Sequence, residues 1–204
     1  MGFDKINKLI NYGFTSKLGP GDLPIEKRNK NITSILAPNY NYKASASALA
    51  WAHKEVAESR IPEVYLILGR DTLEKNKFST FIFSNWETSF GSVMIDSSFG
   101  KDLMKSFSLI NNSYEAFENN FTIDMQLPFL QFANRGNLDK VRFLPVLIGN
   151  VSHQEICDFV PFLHGIKQNI YAKDDQLLNI RSRLDVKRFL DATKGGGDVF
   201  LIEM

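Results

Sequence analysis

Solid apolar runs alternate along this chain with stretches whose apolar residues recur at helical spacing. "ITSILAP" (32–38), "EVYLILG" (63–69), "STFIFS" (79–84) and "RFLPVLIG" (142–149) are continuous apolar segments ending at Pro, Ser or Gly. That is the form of strands buried on both faces. "VMID" (93–96) fits a short edge strand, "NIYA" (169–172) a weak one, and "VFLIE" (199–203) a last one behind the glycines of 195–197. Between them, Leu49, Ala52, His53 and Val56 lie on one stripe of a helix over 44–59, and Phe99, Leu103, Met104 and Phe107 keep step in another. Further helices are predicted over 1–14, over 175–192, and from Thr122 onward, with Pro128 near the first turn or at a kink. Ser152 and Glu155 form a capping box that opens one more, with Ile156, Phe159, Val160 and Leu163 inward. Strands without polar alternation, separated by helices, predict an α/β fold with a mainly parallel central sheet and helices on both faces.

Composition narrows the function classes. The 204 residues suit a single domain, and 44% hydrophobic content is enough for a real core. A net charge of +1 with mixed signs argues against a nucleic-acid groove or an anionic membrane as partner. No apolar run approaches the roughly 18 residues that a membrane span needs. "MGFDKINKLI" lacks the hydrophobic core of a secretory signal, and Ile6 stands where a myristoylation signal wants Ser or Thr. Cys157 is alone, so neither an internal disulfide nor a thiolate cluster can form, and the expected location is cytoplasmic. The sequons at Asn31, Asn111, Asn120 and Asn150 read as a consequence of Asn-rich composition.

In an open α/β sheet, ligands bind beyond the carboxyl ends of the strands. The loops there hold Asn39, Tyr40, Tyr42, Arg70, Asp71 and Thr72, polar and aromatic but poor in metal ligands; ordinary turn chemistry is the better explanation of them. The three His do not make a ligand set. His53 is on a packed helical stripe, while His153 and His164 start and end one helix. Cys157 reads as a small core or semi-exposed residue rather than a nucleophile, and no G-x-S-x-G elbow is present. The glycines at 195–197 run from helix to strand, the reverse of a phosphate-binding loop.

A series of segments nevertheless resembles one family. "PNYNY" (38–42) is similar to the P-H-A-G-Y, "LGRDT" (68–72) to the L-G-P-N-H, and "WETSFG" (86–91) to the W-E-T-P-L-G of the Memo family. "EAFENNFTIDMQLPFLQ" (115–131) resembles that family's E-A-H-x-x-E-H-S-I-E-V-Q-L-P-F-L-Q, and "PVLIG" (145–149) its P-V-L-x-G strand. The resemblance covers about 18–165, with an N-terminal helix in 1–17 and a shortened part in 166–204 of a single domain. It implies the Memo-like component of the AmmeMemoRadiSam group, with a fold similar to class III extradiol dioxygenases.

The departures follow one rule. Wherever the family presents a site His, this chain does not: Asn39, Thr72 and Phe121 stand there, the further His is Phe117, and the Glu before the site His is Asn120. The later S-S-D-F-x-H segment has no clear counterpart, and the N-terminal A-G-x-F-Y-P segment is absent. Asn and Thr are weak neutral donors, and Phe can neither coordinate nor move a proton. The expectation is a catalytically degenerate, pseudoenzyme-like binding or accessory subunit with no catalytic residues, no metal and no cofactor. It would use a protein partner or self-association, with some of its 17 Phe at an interface. The alternative is an enzyme or small-ligand-binding protein with a relocated site, lined by Asn39, Tyr40, Tyr42, Arg70, Asp71, Glu87 and Asp124.

Overall fold

The computed structural model describes residues 2–21, 28–30, 32, 34–38, 41–74 and 76–159, together with the backbone of 198–203. The expectations for 169–172, 175–192, Val160, Leu163, His164 and 195–197 lie outside these residues. Four helices, α1 (Phe3–Thr15), α2 (Tyr42–Glu58), α3 (Ser97–Ser106) and α4 (Thr122–Ala133), surround eight strands. The strands are β1 (Ser34–Pro38), β2 (Tyr65–Arg70), β3 (Phe78–Thr80), β4 (Trp86–Thr88), β5 (Gly91–Ile95), β6 (Ile110–Asn112), β7 (Arg142–Ile148) and β8 (Asp198–Glu203). A further helical run covers 153–159.

The fold is α/β with a central sheet ordered β1-β8-β2-β7-β3-β6, and the sheet is mixed. β2 with β7, β5 with β7 and β3 with β6 run parallel. β8 runs antiparallel to both β1 and β2, and β3 antiparallel to β7. Among the described residues β1 pairs with β8 alone, so β8 ties β1 into the sheet.

Two glycines fix which helix covers which face. A Cβ on Gly69 of β2 would run into Thr122 of α4 and lie 3.1 Å from Leu147, its partner across the pair. A Cβ on Gly100 of α3 would run into Ile82 and lie 2.9 Å from Leu144. Leu144 and Leu147 differ by an odd number in one strand, so they point to opposite faces. Hence α4 covers one face and α3 the other. Around Phe129 of α4, the rings of Phe14 (α1), Tyr42 and His53 (both α2) lie 6.5, 6.4 and 5.6 Å away, which gathers three helices on one side. On the α3 side, Phe78, Phe107 and Phe159 form a triangle with centroids 4.8–5.2 Å apart.

Pro145 lies inside β7, where a strand normally needs every N–H. It is tolerated because the neighbour on that edge changes there. β5 pairs with residues 142 and 143, β3 with residues 146 to 148. Its carbonyl accepts from Thr80 Oγ1 at 2.8 Å.

Local departures from the pattern have tertiary causes. The third strand stops at Thr80 rather than reaching residue 84, because Ile82 N–H donates to the Asn112 side chain and the chain leaves the sheet. Residues 93–96 are no edge: β5 lies between β4 and β7. β4 and β6 have three residues each, too short for a periodic signal. The capping box forms as read: the Ser152 N–H and hydroxyl both reach Glu155 Oε2, at 2.8 and 3.0 Å, and Glu155 N–H returns to Ser152 Oγ. Lys77 bonds the same Glu155, and it is the larger cause that holds this carboxyl down to about 2.

Candidate functional site

At the carboxyl ends of β1 and β2, α4 is stitched across the strands. Gln126 Nε2 donates to the carbonyl of Pro38, the last residue of β1, at 3.1 Å. Asn120 Nδ2 donates to the carbonyl of Arg70, the last residue of β2, at 2.8 Å, and its Oδ1 accepts the Thr122 N–H at 3.0 Å. One amide therefore closes the β2 end and satisfies an orphan donor at the start of α4. The opening of α2 lies alongside, capped by Asn41 Oδ1, which accepts from Lys43 N and Ala44 N at 3.0 and 3.4 Å.

Of the sequence-derived positions, Tyr42, Arg70, Phe117, Asn120 and Asp124 come together. The Tyr42 hydroxyl donates to the Asp124 carbonyl at 2.8 Å, and burial, with the charge of Asp124, pushes its phenol above the usual range. The Asp124 carboxylate accepts the Trp86 indole N–H at 2.8 Å. Burial raises the Asp124 carboxyl, and the bond from Trp86 opposes this without cancelling it. Phe117 is buried against Phe81 and Trp86, with centroids 5.9 and 5.7 Å away. Phe121 differs: it stands before α4 and is 69% exposed.

Other positions lie apart from this group. Thr72 is exposed in the turn after β2, and Glu87 is exposed on β4. Asp71 is fully buried beside the strand end; its N–H donates to Ile148, one oxygen accepts the Leu73 N–H at 2.9 Å, and Oδ2 has no hydrogen-bond partner. Arg70 reaches Glu74 at 3.6 Å. Asn39 and Tyr40 lie outside the described residues. Sequence reasoning passed over Trp86, Gln126 and Phe81. All three lie in the strand and motif segments, but Trp86 and Gln126 become notable only through their bonds to Asp124 and Pro38.

Away from this end, His53 is fully buried, and Cys157 is exposed with its Sγ 3.6 Å from His153 Nε2. A groove at the amino ends of β2 and β7 has both signs of charge, from Glu63, Asp96, Asp102, Lys140 and Arg142. Its Asp96 is committed to capping α3 through Phe99 N–H at 2.9 Å.

Residues 3–182 match the family described as Memo-like protein. The chain belongs to the Memo family. It is 34% identical over 145 residues to a MEMO1 family protein of Methanopyrus kandleri, covering 70% of this chain and 50% of that one. It is 29% identical over 148 residues to one of Ignicoccus hospitalis, covering 71% and 51%. It is 25% identical over 188 residues to one of Metallosphaera sedula, covering 91% and 64%. The chain spans about half the length of the first two relatives. Among the described residues, no helix is long and apolar enough to cross a membrane.

The resemblance to Memo motifs implies a metal held by His side chains, and the residues present do not fit one. Phe117 offers a ring already packed among rings, Phe121 an exposed ring, and Thr72 an exposed hydroxyl. Both ends of the Asn120 amide are spent on the backbone. Among the described residues, no three His, Cys, Asp or Glu converge. A divalent transition metal needs several such donors at one point.

Proposed function

We propose that this Memo family member is a binding or accessory protein of the cytoplasm, without the metal-dependent chemistry that its motifs suggest elsewhere. The observation that carries this reading is Phe117. It occupies a position where the family motif has His, and it is packed edge-on between Phe81 and Trp86. A His returned there would bring a polar ring into an apolar cluster, and an unpaired buried polar group costs about 1–3 kcal/mol. The neighbouring polar groups are committed to holding α4 against the sheet, which keeps the scaffold while the donor set is gone.

The test is metal content. The full chain, incubated with Fe(II), Cu(II) or Zn(II), desalted and analysed by mass spectrometry, should retain far less than one ion per chain. One ion per chain in any of the three sinks the reading.

A second reading, a small-ligand site in the same place, is favoured by one observation. Gln126 Oε1 is buried beside the end of β1 with no hydrogen-bond partner, which is uncommon away from functional positions. In that case Gln126→Leu removes ligand-induced thermal stabilisation while leaving metal content unchanged.

A further inference from the structure

The groove at the amino ends of β2 and β7 lies at the opposite end of the strands from the end that α4 closes. Leu144 of β7 packs against Gly100 of α3, and Arg142, two residues earlier, shares its face. The groove therefore opens between the start of the sheet and α3. It encloses about 490 Å³, within the roughly 300–1,000 Å³ of small-molecule sites. Val64 and Phe99, both buried, supply its apolar lining.

Its charged lining carries both signs, and the two signs do not close on each other. Asp96, Lys140 and Asp102 are engaged along their own segments: Asp96 caps α3, Lys140 donates to Asn137 at 3.3 Å, and Asp102 pairs with Lys105 at 3.2 Å. The side chains of Glu63 and Arg142 are exposed and have no partner among the described residues. Glu63 stands just before β2 and Arg142 opens β7, its parallel neighbour, so the backbone holds these two free charges at one end of the same strand pair. No ion pair joins any charged group of the groove to another. A ligand with a single negative charge would meet Glu63, Asp96 and Asp102 beside the cations, and one with a single positive charge would meet Arg142 and Lys140. A small molecule with both charges fits both sides.

We propose that this groove binds a small zwitterion of the α-amino acid class with an apolar side chain. The guanidinium of Arg142 pairs with the α-carboxylate, which its planar fork can hold at two points. Glu63 accepts from the α-ammonium, and the side chain lies along Val64 and Phe99. Lys140 and Asp102 reinforce the two signs from the rim. The site shares no residue with the strand ends closed by α4, so it stands or falls apart from the accessory reading.

The test titrates the full chain with L-leucine, N-acetyl-L-leucine and L-leucinamide, followed by amide NMR shifts at slightly acidic pH, where leucinamide is charged. L-Leucine should bind in the millimolar range of an open, solvated site and shift the amides of Val64, Phe99 and Arg142. Each derivative lacks one of the two charges and should bind about two- to five-fold more weakly. Arg142→Gln should weaken L-leucine by a similar factor without weakening leucinamide, which has no carboxylate. Glu63→Gln should weaken L-leucine without weakening N-acetyl-L-leucine, which has no ammonium. Both side chains are exposed, so thermal melts should show the variants folded.

A chain whose amides ignore L-leucine overturns the proposal. So does equal binding of the three ligands, or a pair of substitutions that leave all three unchanged or weaken all three alike, because charge matching would then play no part. Shifts confined to the strand ends closed by α4 also overturn it and favour the ligand site at Gln126 instead. Stoichiometric metal with L-leucine binding intact overturns the accessory reading and leaves this groove standing.

Discussion

His53 shows how much one side chain can depend on its surroundings. Its helical stripe marked it as packed, and it is: Nδ1–H donates to the Leu49 carbonyl at 3.0 Å, the ring lies against Phe129, and Nε2 is buried without a partner. Burial lowers its pKa from 6.5 to about 4, with the Leu49 bond opposing. The unfolded chain therefore binds this proton more readily than the folded one. The stability it protects is complete above the unfolded value and is lost as pH falls from about 6.5 toward about 4. The loss should be on the order of 3 kcal/mol across that window. His53→Leu should remove most of this acid-dependent drop, as read from urea midpoints at a series of pH values. A wild-type midpoint flat over that range contradicts the buried, neutral imidazole. Phe117 and Phe121 make the same point from the other side. They are identical residues four apart in one motif, yet one is core and the other is surface.

At the scale of elements, α4 explains why Tyr42 is where it is. Pro128 sits inside this helix and has no N–H, so the Asp124 carbonyl four residues earlier lacks its helical donor. The Tyr42 hydroxyl, from the first turn of α2, donates to that carbonyl at 2.8 Å. One helix thus repairs the gap that a proline leaves in another, and the repair locks the two together beside the strand ends. Tyr42→Phe should cost about 1 kcal/mol by leaving a half-buried carbonyl unpaired. In a Pro128→Ala background, where position 128 regains its N–H, the same substitution should cost clearly less. A double-mutant cycle on denaturation free energies measures the difference, and strict additivity would mean that the hydroxyl is not the substitute donor. This gives Tyr42 a structural role at a place where its sequence position suggested a ligand contact.

For the whole molecule, the decisive feature is the placement of β8. The strand comes last in the chain but lies between β1 and β2, antiparallel to both. Removing residues 198–204 should detach β1 from the sheet, since among the described residues β1 has no other strand partner. Hydrogen exchange should then show β1 amides losing protection by orders of magnitude, while β7, held by β2 on one side and by β3 and β5 on the other, loses far less. Unchanged protection in β1 would place its pairing elsewhere. Because Pro38 at the end of β1 carries the carbonyl bound by Gln126, the same truncation would loosen the candidate site.

The sequence by itself determined the longer strands and helices among the described residues, the α/β class, the capping box and the family motifs, because local periodicity and short-range chemistry encode these. Unbroken apolar strands such as β2 and β7 signal double-sided burial whatever their neighbours are. It also named the positions at which His is replaced, since those are read directly from the chain. The tertiary structure alone decided that the sheet is mixed, because the pairing direction of β8 and β3 depends on residues far away in sequence. It alone decided that Asn120 and Gln126 hold α4 onto the ends of β2 and β1, and that Tyr42 makes good the missing donor of Pro128. It separated a buried Phe117 from an exposed Phe121, which no pattern of 3.6 residues could do in an irregular turn.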